Sequence, residues 1–170
     1  ILSVMVISFV AFFSTIMVIT VYFLINRSLE KSLTNQMQNV ASIVDYHLSK
    51  VSETAMGDLT LRTFDFRIIA DRSRDFISNI KIGENGHVIL VDSQNNILIA
   101  PHVSLVERPL LDFSWGKNII SAESNSLVPV NTVDGDMLMY VLTNTFGFRT
   151  IVAAPKRDIE KMSLSTVKIG

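Results

Sequence analysis

From Ile1 to Ile25 no charged residue interrupts the apolar run, and its polar groups are the hydroxyls of Ser3, Ser8, Ser14, Thr15, Thr20 and Tyr22. Hydroxyls of this kind can bond back to the carbonyls of their own helix. About 20 apolar residues at a 1.5 Å rise cross a roughly 30 Å hydrocarbon core, so the pattern predicts a membrane-spanning helix over 1–26. A cleaved signal peptide would have a shorter apolar region, about 7 to 15 residues, ending in small residues at the cleavage site. Here the run passes instead through Tyr22 and Phe23, side chains suited to the membrane interface, into Asn26-Arg27-Ser28.

Beyond Arg27 the apolar positions thin to one helical face. Leu29, Leu33, Met37, Val40, Val44, Leu48 and Val51 recur at spacings of three and four, with Glu30, Lys31, Asn35, Gln38, Asn39, Asp45 and Lys50 on the remaining surface. Neither Gly nor Pro occurs until Gly57, so the span and the amphipathic stretch are expected to form one rod from Ile1 to about Met56. Residues 27–64 thus read as a stalk helix and its connection. The apolar stripe fits a seam with a second copy of the chain and equally fits packing on its own domain. A second helix is expected from about Asp65 to Ile80, with Phe66, Ile69, Phe76, Ile77 and Ile80 facing inward.

The period then changes from helical to extended. His87 to Val91 is a β-rich run, Asp92-Ser93-Gln94-Asn95-Asn96 has turn chemistry, and Ile97 to Ala100 is a second strand stopped by Pro101. A long connection over 102–126 contains Pro109, Gly116 and a short helix near Asn118 to Glu123. Three further strands are expected at Leu127 to Thr132, Met137 to Thr145 and Thr150 to Ala154, punctuated by Asp134-Gly135 and Phe146-Gly147. Pro155 suits the first turn of an exit helix over 156–170, directed toward a second membrane span, with Asp158 and Glu160 complementing its dipole. The fold class is α+β: after the long helix, one five-stranded antiparallel sheet with flanking helices. The Met137 to Thr145 strand is expected at its centre, with the 102–126 connection crossing one face.

Composition narrows the function. Hydrophobic residues make up 48% of the 170 and charged ones 18%, with a formal net charge of -1, so no basic field exists to hold nucleic acid. There is no cysteine, which removes thiol nucleophiles and thiolate metal sites. His47, His87 and His102 are scattered without metal-ligand spacing, and no nucleophile elbow, phosphate loop or dinucleotide fingerprint occurs. Asp134 and Asp136 belong to a turn rich in Asp and Gly. No catalytic residue, metal site or cofactor is expected.

The stretch Gly83-Glu84-Asn85-Gly86-His87-Val88-Ile89-Leu90-Val91-Asp92, continued through the turn to Ile97-Leu98-Ile99-Ala100-Pro101-His102, resembles the opening hairpin of a Cache domain. These are PAS-like extracytoplasmic sensors of bacterial transmembrane receptors such as methyl-accepting chemotaxis proteins. Tyr140 to Pro155 is similar to the last two strands of that family, with Gly147-Phe148 where Gly-Trp is common. The interval before the hairpin is too short for a second lobe, and the Arg-x-Trp pattern of the amino-acid-binding members is missing. The resemblance implies a single-lobed sensor in the plasma or inner membrane, its sensory domain outside the cytoplasm, acting as a homodimer. It also implies a ligand cup between one sheet face and the connection after the second strand. His102, Arg108 and Trp115 lie in that connection. Tyr140 and Asn144, separated by an even number, are expected on one face of the strand that would floor the cup. The expected ligand is a small polar metabolite such as a carboxylate, with Arg108 as its charged partner. Histidine kinases and diguanylate cyclases carry the same kind of sensor, and a ligand-free interaction ectodomain would have the same outline.

Overall fold

The computed structural model describes the backbone of residues 2–57 and 65–158, and side chains within it from residue 9 onward. Helix α1, Leu2–Gly57, is unbroken, as the uninterrupted pattern required. Its first part is long and apolar enough to cross a membrane, and large side chains there, among them Phe12, Phe13, Met17, Val18, Phe23 and Leu24, are exposed. Thr15 and Thr20 donate to the carbonyls of Ala11 and Ile16 at 2.8 Å, so these two hydroxyls are satisfied within the helix. The lower half of the stripe does what an apolar face does when a sheet is available: Leu33, Met37, Ala41, Val44 and Leu48 are fully buried in the domain core.

Helix α2, Phe66–Ser78, starts at an Asp65 cap whose carboxylate accepts from the Arg67 amide at 2.8 Å. It buries Ile69, Ala70, Ser73 and Ile77 beside α1. The strands are β1 His87–Val91, β2 Ile97–Ile99, β3 Ser126–Thr132, β4 Gly135–Thr143 and β5 Arg149–Pro155. They form one antiparallel sheet in the order β2-β1-β5-β4-β3. The centre is therefore β5 and not the Met137 to Thr145 strand expected there. The reason is that each of the two hairpins, β1-β2 and β3-β4, leaves one edge open, and the last strand fills the gap by pairing with β1 and β4 at once. Pro129, which cannot donate to a ladder, sits on the edge strand β3 where it costs nothing.

The connection between β2 and β3 carries two 3₁₀ turns, Val103–Leu105 and Leu110–Asp112, and helix α3, Gly116–Ile120, two residues earlier than expected. It lies on the sheet face opposite α1: Leu110, Trp115 and Ile119 pack with Ile89, Val91, Met139, Val141 and Ile151. A Cβ on Gly116 would fall inside the Leu110 carbonyl, so the chain can turn into α3 here only without a side chain. Pro155 closes β5, and residues 156–158 directly after it are helical, where the exit helix was expected to begin; the rest of that helix, beyond Asp158, lies outside the described residues.

Candidate ligand cleft

The connection covers only part of its sheet face. The uncovered part is a cleft of about 830 Å³, within the range of small-molecule sites. Its floor is the outward parity of β1 and β4: His87 and Ile89, then Met137 and Met139. One wall is Phe113 and Trp115, stacked at 5.2 Å and 21°. The mouth is ringed by polar groups from four segments: Lys81, Glu84 and Asn85 before β1, His102 and Ser104 after β2, Thr132 and Asp134 at the β3-β4 turn, and Arg157 after β5.

His87 is half-buried, and burial holds its pKa below the ordinary imidazole value; nearby His102 acts in the same direction, while the Asn85 carbonyl and Asp134 oppose it. Its Nδ1 lies 3.5 Å from the Asn85 oxygen. With the proton on Nδ1, Nε2 is left as an acceptor. The site thus offers an apolar floor, an aromatic wall and a rim of donors and acceptors from separate chain segments. Among the described residues no group of three or more His, Cys, Asp or Glu is placed to hold a metal ion.

A second hollow, about 460 Å³, lies on the other side of the β1-β2 turn against α2. Four of its charged side chains are engaged in local structure: Asp65 caps α2, Arg74 pairs with Asp71 at 2.8 Å, and Asp92 accepts from the amides of Gln94 and Asn96; Arg67 and Glu107 also line it. Asp92 is thus the turn-closing residue its sequence position suggested. The larger cleft differs from it in having an apolar floor and an aromatic wall beneath its polar rim.

Of the five residues picked from the sequence, His102 and Trp115 line this cleft. Arg108 stands behind its wall, donating to Asp112 Oδ2 from Nε and Nη2 at 3.3 and 3.2 Å and lying 4.8 Å over the Phe113 ring. It braces the aromatic wall from outside. Tyr140 and Asn144 are not in the cleft. Tyr140 points to the α1 side, 4% exposed, with its hydroxyl 3.4 Å from Asn125 Oδ1. Asn144 lies one residue past β4, where its Oδ1 accepts from the amides of Phe146 and Phe148 at 3.0 and 2.9 Å and shapes the β4-β5 turn. Tyr140 thus lies on the opposite face of β4 from the cleft, and Asn144, beyond the strand end, does not share a strand face with it.

His87, Met137, Met139, Phe113 and the acid Asp134 were missed. The usable signal was parity: His87 shares its face with Ile89 and Val91, and the connection packs on that face.

No protein-family model matches the sequence, and no curated protein matches it. Solved structures do match. A methyl-accepting chemotaxis protein from Vibrio parahaemolyticus RIMD 2210633 aligns with a TM-score of 0.51 at 9% identity, over 79% of this chain and 98% of that one. The two share a fold. Extracellular domains of two putative histidine kinases, mmHK1S-Z3 and mmHK1S-Z2, align with TM-scores of 0.48 and 0.46 at 14% and 18% identity. They are matched over 56% and 54% of this chain, which covers 39% and 38% of theirs. What this chain has in common with the chemotaxis protein is the arrangement of helices and sheet.

Proposed function

We propose that the chain is the membrane anchor and extracytoplasmic ligand-sensing region of a bacterial signal-transduction receptor of the methyl-accepting chemotaxis type. The observation that carries this reading is the cleft: a volume of about 830 Å³ with an apolar floor and converging polar groups, on a domain whose first helix is long and apolar enough to span a bilayer. A small polar metabolite, such as an organic acid, would lay its carbon skeleton on Met137, Met139 and Trp115 and turn its polar groups to the rim. Signal transfer would follow from the packing. Helix α1 is one piece from the apolar segment to the sheet, so a ligand that favours one arrangement of sheet against helix biases the position of the whole rod. The receptor is read as a homodimer, with exposed Ile43 and Tyr46 on the α1 face turned away from the core available to a second copy.

Trp115 is the chain's only tryptophan, so its emission reports on the cleft directly. The test is a screen of organic acids, amino acids and other small metabolites against the full chain in nanodiscs. A true ligand changes Trp115 emission and raises the unfolding temperature, with stabilisation of about 2.7 kcal/mol at a hundredfold excess over Kd. Ser104→Phe, which fills the mouth from an exposed position, should abolish the response. A ligand that binds Ser104→Phe and wild type equally well would remove the cleft from the mechanism.

A further inference from the structure

Past His87 the floor of the cleft carries no hydrogen-bonding side chain. Ile89 on β1 and Met137 and Met139 on β4 present hydrocarbon and thioether, all three buried, and the backbone beneath them is engaged in the sheet ladders. The wall is made of planar groups. Phe113 and Trp115 stack at 5.2 Å and 21°, and the Arg108 guanidinium, tied to Asp112, lies 4.8 Å over the Phe113 ring. The wall is therefore fixed by its own contacts before a ligand arrives, which lowers the ordering cost of binding against it.

We infer that the cleft selects carboxylic acids built on a planar aromatic ring over short acids that are polar throughout. The inference rests on the cleft being the ligand site, and it names the ligand class that fits there. A short dicarboxylate has a polar group on or beside every carbon. Pressed onto Ile89, Met137 and Met139 it would give up water without gaining a partner, at a cost per group on the scale of an unmade hydrogen bond. A ring acid divides as the site divides: the ring lies over the methionines and against the wall, while the carboxylate points to the open mouth and keeps its water. A cleft of about 830 Å³ has room for such a molecule. Aromatic character adds to plain burial, because paired rings gain from their quadrupoles and thioether sulfur makes favourable contacts with ring edges. A saturated ring of similar size obtains the burial alone.

Benzoate, cyclohexanecarboxylate and succinate are the probes, titrated against the full chain in nanodiscs and read by Trp115 emission and unfolding temperature. Benzoate should bind about three- to tenfold more tightly than cyclohexanecarboxylate, the scale of one aromatic contact, and succinate should give no response where benzoate saturates. In Phe113→Leu, which keeps an apolar side chain and removes one ring of the wall, the preference for benzoate should fall toward one while cyclohexanecarboxylate binds as before. The wild-type preference is read without any variant, so a Phe113→Leu chain that does not fold leaves the test intact. Equal affinity for the two ring acids, or silence toward all three probes, overturns the inference. A succinate response stronger than that to benzoate, and abolished by Ser104→Phe, removes the ring selectivity and keeps the receptor reading. Benzoate binding that Ser104→Phe leaves unchanged puts the acid outside the cleft and removes both.

Discussion

The two faces of the sheet use the same strands for opposite purposes. Toward α1 and α2, Val88, Leu90, Leu138, Tyr140, Val152 and Ala154 meet a continuous helical cover and are closed from solvent. Toward the connection, Ile89, Met137, Met139, Val141, Ile151 and Ala153 are buried as well, but the cover is a short helix and two 3₁₀ turns that stop short of the β1 and β4 ends. The cleft is what remains. A sealed face gives stiffness and a mechanical link to the long helix; an incompletely covered face gives room for a ligand. The difference teaches that, in the proposed receptor, room for a ligand would come from the irregular segment and the link to the long helix from the regular ones.

The comparison predicts that stability is concentrated on the helix side. Phe148 is fully buried and meets Phe66 edge-on at 4.9 Å, so Phe148→Ala should cost about 3 to 5 kcal/mol in denaturant unfolding. His102, exposed at the cleft mouth, should change stability by less than about 0.5 kcal/mol when replaced by Ala. Comparable losses for the two would erase the distinction between faces.

Gly116 sharpens the same contrast on the connection side. A side chain there runs into the Leu110 backbone, which cannot swing away as a flexible side chain can. Gly116→Ala should therefore destabilise by about 1 to 3 kcal/mol and shift Trp115 emission, since the displaced segment carries the aromatic wall. An unchanged spectrum would mean that the wall is positioned independently of that turn.

Asn144 distinguishes binding from architecture. Its Oδ1 satisfies two amides at the β4-β5 turn, where Gly147 has φ +91. Asn144→Ala should cost about 1 to 2 kcal/mol in unfolding experiments and leave the affinity of any cleft ligand unaltered. A tenfold loss of affinity at preserved stability would return Asn144 to the ligand-contacting set.

Much of this was legible in the chain. The long helix followed from the absence of breakers up to Gly57, and three turns were marked by their Gly, Asp and Asn residues, so every strand was found within about two residues of its position. The sheet's centre was not legible, because β5 reads locally like any other apolar strand and its pairing with β1 is decided across more than fifty residues of chain. The face of β4 was hidden for a different reason. Met137, Met139 and Val141 alternate with Leu138, Tyr140 and Leu142, apolar on both sides, so no polar parity distinguishes cleft from core. Tyr140 drew attention as the polar-tipped residue of that strand, yet burying a ring while leaving the hydroxyl near Asn125 is what a core tyrosine does.

The smallest effect expected is the pH dependence of stability, and it separates the faces once more. The folded chain lowers the pKa of His87, chiefly through burial, so the unfolded chain binds the proton more readily. The stability associated with neutral His87 is therefore complete above the unfolded imidazole range, about pH 6.5, and is lost as pH falls below it. Urea midpoints of the wild type should decline on acidification through this window, and His87→Asn should flatten that part of the profile without altering the midpoint at pH 8. An anion bound in the cleft should oppose the decline, because it stabilises the protonated ring. Phe148→Ala, acting on the sealed face, should lower the midpoint equally at every pH. If His87→Asn instead shifted the whole curve in parallel, the imidazole would be serving as packing on the floor of the cleft and not as its titrating group.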